Sequence, residues 1–145
     1  MKALVQRVLR GKVSVDEKVI AEIERGLVIF LGVGHDDQDE QAAFLTEKIA
    51  ALRIFEDSAG KMNLSLRDVA GAALVVSQFT LYADTRRGRR PSFTDAALPE
   101  KARPLVDRFA QLLREQGVPT QQGEFGANML VEIHNDGPVT IWLEK

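Results

Sequence analysis

The sequence predicts an α+β fold, a strongly curved, mainly antiparallel, barrel-like sheet with two main helices on one side. Three observations lead there. Short Val- and Leu-rich runs separated by turn residues outnumber helical patterns. Most neighbouring runs are joined closely enough to pair antiparallel. Only the stretches after Asp36 and after Pro99 carry apolar residues at helical spacing.

The chain has 145 residues, which suits a single domain spanning 1–145 with a real hydrophobic core. There is no internal repeat, no low-complexity tract and no linker long enough to divide it.

Lys2 to Val15 reads as a long strand whose alternation breaks around Val8-Leu9 and Gly11, the mark of a bulge or bend. Polar Asp16-Glu17-Lys18 turns the chain, and Val19, Ala21 and Ile23 alternate in a second strand. After Arg25-Gly26, the run Leu27-Val28-Ile29-Phe30-Leu31 has no polar positions and reads as a strand covered on both faces.

Asp36 to Glu40 opens the first helix, with acidic residues where the helix dipole favours them. Ala42, Leu45, Ile49 and Leu52 supply its buried stripe. Phe55 to Met62 reads as a short hairpin around Gly60, and Ala73 to Tyr82 as the next strong strand. Ala83 to Pro99 is mostly polar, and long enough to suggest more than a connection.

Pro99 suits the first turn of the second helix, which Gly117 and Pro119 end. Its stripe is Ala102, Leu105, Phe109 and Leu112, widened by Val106 and Leu113. The C-terminal stretch, Met129 to His134 and Val139 to Leu143 around Asn135-Asp136-Gly137, predicts a hairpin.

Composition narrows the function classes. With 45% apolar and 28% charged residues, this is a folded globular chain. It has no cysteine, so disulfides, thiolate metal sites and cysteine nucleophiles are excluded. His35 and His134 are the only histidines, too few for a three-histidine zinc site, and both are poor candidates for ligand or base. No metal or cofactor is expected. A net charge of −2 rules out a uniformly basic nucleic-acid binder but not a local basic patch. The N-terminus turns polar too early for a signal peptide, and Gly26 to Gly34 falls far short of the ~20 residues of a membrane span. Cytoplasm is the expected location.

Several segments could carry chemistry. Arg86, Arg87, Arg89 and Arg90 crowd four guanidiniums into five positions. Such crowding is unfavourable unless an anion meets it, and phosphate suits arginine's paired donors; a charge run of this kind also forms plain solvated loops. Ser77, Gln78 and Thr80 set hydrogen-bonding side chains around Phe79 at the end of an apolar run. A strand entering a cleft would show that change, and so would a strand end facing water. As a strand, Gln78 and Thr80 would share one face. Thr80 as a nucleophile would need a base, and none lies nearby in sequence, so backbone N–H donors would have to contribute. Gly137-Pro138 lacks a ladder donor, which makes it a turn device or a way to present two unobstructed carbonyls. Phe125 and Met129 read as core on apolarity alone, and Trp142 as core or interface.

In combination, Ser77-Gln78-Phe79-Thr80-Leu81-Tyr82, Gly88-Arg89-Arg90-Pro91-Ser92-Phe93 and Asn135-Asp136-Gly137-Pro138-Val139-Thr140 closely resemble the D-aminoacyl-tRNA deacylases, also called D-tyrosyl-tRNA deacylases. The resemblance runs from the first strand to the C-terminus. It implies a hydrolase that cleaves the ester joining a D-amino acid to tRNA, and a homodimer with its sites at the interface. It also implies a cis Gly137-Pro138 pair that enters the partner's site and excludes L-amino acids, with Arg7 as its anchor. Ser77, Gln78, Phe79 and Thr80 map to the pocket for the adenosine and the ester, with Phe125 and Met129 as further pocket residues. The four arginines would meet phosphates of the aminoacylated tRNA. Glycine mischarged onto alanine tRNA would also pass such a filter. A non-catalytic RNA-binding module and a ligand-free structural dimer stand as competing readings.

Overall fold

The Val-rich N-terminal run forms one bent strand, β1 (Lys2–Val15), in the computed structural model, which describes residues 1–145. Ala3 and Val5 pack toward the helices, whereas Val8 and Val13 pack on the opposite face of the sheet. The bend lies where alternation failed: Val8 faces Asn135 and Arg10 faces His134, leaving Leu9 bulged and exposed.

β2 (Lys18–Ile23) follows a tight turn in which Asp16 and Glu17 adopt positive φ, the hand that matches hairpin twist. It pairs with the second half of β1, and β3 (Gly26–Gly32) pairs antiparallel with the first half. Val19, expected to alternate inward, is exposed.

From β3 the chain crosses through α1 (Asp39–Ala51) and a small hairpin, β4 (Phe55–Glu56) with β5 (Met62–Leu64), to β6 (Ala72–Ser77). A second crossover through α2 (Pro99–Glu115) leads to β7 (Thr120–Gln122). β3, β6 and β7 are parallel neighbours. Parallel pairing needs such crossovers, and two of the same hand stepping the same way put both helices on one face. The sheet is therefore mixed and nearly closed, with β7 as a short strand that the sequence patterns do not reveal.

The main core, a cluster of 23 buried residues, lies between helices and sheet; Leu45 and Ile49 of α1 and Phe109 and Leu113 of α2 all belong to it. Leu52 and Leu112, expected in the stripes, are only partly buried at its margin. A second cluster of 7, including Val8, Val28 and Leu74, fills the inside of the curve. β3 is thus covered on both faces, as its unbroken apolar run required.

Curvature brings β2 to β7. The Gln121 amide bridges them: Glu22 N–H donates to Oε1 at 2.9 Å, and Nε2 donates to the Glu22 carbonyl at 2.6 Å. A side-chain amide closes the barrel where the backbone ladder does not.

The expected C-terminal hairpin is a single strand, β8 (Leu130–Glu144), antiparallel to β1 along its length. Gln6 faces Thr140 and Val8 faces Asn135, so Asp136 to Val139 bulge out opposite Arg7. Asn135 Nδ2 closes the bulge by donating to the carbonyls of Arg7 (2.9 Å) and Val139 (3.1 Å). The Asp-Gly-Pro signal marks a departure from the ladder, but β1 continues beyond it and the chain rejoins its partner. No helix is long and apolar enough to cross a membrane.

Candidate active site

The apolar run of β6 carries Ser77 to the register position of Leu31 on β3. Gln78 N–H donates to the Leu31 carbonyl at 2.8 Å, and the ladder ends there. The strand expected through Tyr82 gives way to a 3-10 turn, Phe79–Tyr82. The turn folds back over Gly32 and Gly34, where a side chain has no room. A Cβ on Gly32 would lie 3.2 Å from both Leu81 Cβ and Tyr82 Cδ2; one on Gly34 would lie 2.7 Å from the Tyr82 oxygen.

The alternation assigned to Gln78 and Thr80 therefore does not hold. They meet across the turn instead, where Gln78 Nε2 donates to Thr80 Oγ1. Phe79 is 57% exposed, and its ring stands edge-on to Phe93, with centroids 5.0 Å apart. Phe93, the last residue of the Gly88–Phe93 motif, thus joins the site. Tyr82 points inward; burial, reinforced by the Asp37 charge, pushes its phenol well above the ordinary value.

Ser77, Gln78 and Phe79 form a ridge between two depressions. One, of about 420 Å³, lies under α2 and is walled by Leu31, Phe93, Ala102, Val106 and Phe125. The other, of about 250 Å³, is walled by Val76, Met129 and Val131. The segment after β7 supplies Phe125 to the first and Met129 to the second, and Gly126 borders both. Arg103 of α2 holds that segment, with its guanidinium 5.1 Å from the Phe125 ring centroid. Ser77, Gln78, Phe79, Thr80, Phe125 and Met129 are thus brought together.

The arginine segment continues directly from the turn. Asp84 and Ser92 exchange two backbone hydrogen bonds (2.7 and 3.0 Å), pinching off a loop that carries all four arginines. Arg86 and Asp84 form an ion pair in which Nη2 lies 2.8 Å from Oδ2, and this pairing holds the Asp84 carboxyl well below the usual range. A groove of about 500 Å³ runs along the loop, lined by Asp84, Arg86, Arg87, Arg90 and Ser92.

Arg7, Gly137 and Pro138 lie elsewhere. Arg7 faces Leu27 on β3 and Ser77 faces Leu31, so four residues, or ~13 Å of strand, separate the two registers. The Gly137–Pro138 bond is cis and both residues are exposed. Arg7, only 4% exposed, donates from Nη1 to the Ile54 carbonyl at 2.6 Å. Its Nε lies 2.9 Å from Asp136 Oδ2, an ion pair whose angle leaves that N–H without a hydrogen bond. Of the histidines, His35 Nε2 is 2.6 Å from the Thr94 carbonyl oxygen and His134 sits on β8; neither faces the ridge.

The ridge offers hydroxyls, one side-chain amide and the opening N–H groups of a helical turn, which have no acceptor within the turn itself. Such a site can orient a neutral substrate and stabilise developing negative charge.

Residues 4–144 match the family profile described as D-Tyr-tRNA(Tyr) deacylase. The chain is 56% identical over 145 residues to the D-aminoacyl-tRNA deacylase of Thermotoga petrophila, covering 100% of this chain and 97% of that one. It is 59% identical to the D-aminoacyl-tRNA deacylase of Chloroflexus aurantiacus, covering 100% and 91%. Among solved structures it superimposes on one described as c-Myc DNA Unwinding Element Binding Protein with a TM-score of 0.95, at 41% identity and 100% and 99% coverage. A probable eukaryotic D-amino acid tRNA deacylase shares the fold, with a TM-score of 0.83 at 18% identity, covering 99% and 98%. By full-length match to its profile and to its members, this chain belongs to the D-Tyr-tRNA(Tyr) deacylase family.

Proposed function

We propose that the chain hydrolyses the ester of D-aminoacyl-tRNA, releasing the free D-amino acid and the tRNA. The observation that carries this reading is the ridge: Ser77, Gln78 and Phe79 border two depressions, with Thr80 hydrogen-bonded to Gln78, in a chain of this family. The terminal adenosine and the ester lie along it, against Phe125 and Met129. Water, losing a proton, adds to the ester carbonyl, whose π electrons pass to oxygen to give a tetrahedral oxyanion; its collapse re-forms the carbonyl and breaks the bond to the ribose oxygen, which takes up a proton. The N–H groups of Phe79 and Thr80 stabilise the oxyanion, and the neighbouring ribose hydroxyl helps activate the water. The loop of Arg86, Arg87, Arg89 and Arg90 meets tRNA phosphates. The reaction takes place in the cytoplasm.

The working unit in this reading is a homodimer. β8 pairs on one edge only, and Leu130 and Trp142 are 65% and 45% exposed along it, which favours a second copy as its cover. Gly137 and Pro138, exposed and distant from their own ridge, would then enter the partner's site with Arg7 as anchor. Their carbonyls would exclude the side chain of an L-amino acid. Glycine carries no side chain to exclude, so glycyl-tRNA formed on alanine tRNA is a second substrate.

The test is hydrolysis of D-tyrosyl-tRNA beside L-tyrosyl-tRNA, with and without chelator. Loss of the D-ester alone, unchanged by chelator, is the expected result. Equal loss of both would keep an esterase and discard the Gly137-Pro138 filter. Binding without loss of either would leave an RNA-binding module.

A further inference from the structure

The four arginines are not equivalent. Arg86 is already engaged: its backbone N–H (3.0 Å) and Nε (2.9 Å) both donate to Asp84 Oδ1, and Nη2 donates to Oδ2 at 2.8 Å. Arg89 does not line the groove. Arg87 and Arg90 do, and neither has a carboxylate within ion-pair distance. No apolar side chain lines this groove.

We infer that the groove is a two-arginine seat for one RNA phosphodiester, gripped by Arg87 and Arg90 with the Ser92 hydroxyl, while Arg86 serves as an internal clip for Asp84. A phosphodiester presents two unesterified oxygens, which two guanidiniums can share. An unclipped Asp84 carboxylate would repel that phosphate or pair with Arg87 or Arg90. Arg86 cancels its charge and ties it to the neck where Asp84 and Ser92 exchange backbone hydrogen bonds.

Placement assigns the phosphate to the same RNA that offers its ester. The loop leaves the 3-10 turn at Tyr82 and returns to it through Phe93 against Phe79. That assignment rests on the deacylase reading for the identity of the RNA; the division of labour among the arginines does not.

The experiment is binding of uncharged tRNA across a salt titration. Each phosphate contact contributes about 0.7 to 0.9 to the slope of log K against log salt. Because the two share one phosphate, replacing both should flatten the slope by about that amount, and Arg87→Gln or Arg90→Gln alone by a measurable part of it. Asp84→Asn should do the opposite, steepening it by up to the same amount, because it frees Arg86 to reach a phosphate. Asp84→Asn with Arg86→Gln should return the slope to the native value, since a neutral pair has been removed. All these positions lie on a surface loop, and circular dichroism of each variant checks that the fold is kept. If the Asp84→Asn, Arg86→Gln double variant flattens the slope as Arg87→Gln does, or if Arg87→Gln and Arg90→Gln leave it unchanged, the seat is wrong. Hydrolysis of D-tyrosyl-tRNA by the unaltered protein separates the two failures. Expected slopes without hydrolysis would keep the seat and sink the deacylase reading; hydrolysis with unexpected slopes would do the reverse.

Discussion

The Tyr82 hydroxyl donates to Asp37 Oδ2 at 3.2 Å and so ties the end of the site turn to a carboxylate that is only 7% exposed. The same oxygen accepts Gly34 N–H at 2.6 Å, and the other carboxylate oxygen meets the Met1 amino group. Lys2 Nζ lies 4.3 Å from the Tyr82 ring centroid. The turn that carries Phe79 and Thr80 is therefore held from behind by groups on other segments.

Tyr82→Phe removes one oxygen and little packing. Losing a hydrogen bond worth ~1 kcal/mol to the turn should lower kcat about fivefold, with KM within about twofold. Steady-state deacylation of D-tyrosyl-tRNA measures the split. A fall in melting temperature with kcat unchanged would reduce the Tyr82–Asp37 bond to a purely structural role.

The same phenol sets a pH dependence. Its folded pKa is raised, first by burial and then by Asp37, so the unfolded chain releases this proton first. Its contribution to stability is whole below the ordinary value near 10 and declines as pH climbs above it. Denaturant unfolding between about pH 9 and 11 should show that decline, and Tyr82→Phe should flatten it. Because the chain has 1 tyrosine, ultraviolet titration reads the group directly. Ionisation of the folded protein near the ordinary value would contradict the burial argument.

Gln121→Ala opens the seam between β2 and β7, leaving the two Glu22 backbone groups without their partner. A loss of about 1–2 kcal/mol is expected, with the fold kept, because these groups can turn to water. Hydrogen exchange at the Glu22 amide should accelerate selectively. Uniform acceleration across β1 and β3 would mean that the seam organises the whole sheet.

At Gly137, φ is +112°, and an added Cβ would sit 2.9 Å from Val139 Cγ2 and 3.1 Å from Arg7 Nη2. Gly137→Ala should displace the bulge at a cost of about 1–3 kcal/mol, since an L side chain rarely adopts that φ. On the exclusion reading, hydrolysis of L-tyrosyl-tRNA should rise relative to the D-ester. Unchanged discrimination despite a displaced bulge would separate this pair from substrate selection.

Much was legible in the sequence because it depends on local periodicity. The stripes Ala42–Leu45–Ile49 and Ala102–Leu105–Phe109 are buried as read, and the broken alternation at Val8–Leu9 is a bulge. The motif around Ser77 and the arginine run stood out by composition, and the structure puts both on one continuous segment. Phe93 is not legible as a site residue, because a lone aromatic in a polar segment carries no signal until Phe79 stands against it.

What the sequence determined by itself was the inventory: two helices, a Val- and Leu-rich sheet, no thiol chemistry, and motifs specific enough to mark a family. Tertiary structure decided everything that depended on distant partners. Phe79, Leu81 and Tyr82 read locally as strand, yet Gly32 and Gly34, nearly fifty residues upstream, give the chain room to fold back as a turn. Asn135-Asp136-Gly137 read as a reversal, yet β1 is long enough to recapture the chain beyond it. Turn residues report that a chain leaves its ladder; where it goes next is set by the unpaired hydrogen-bonding groups that await it.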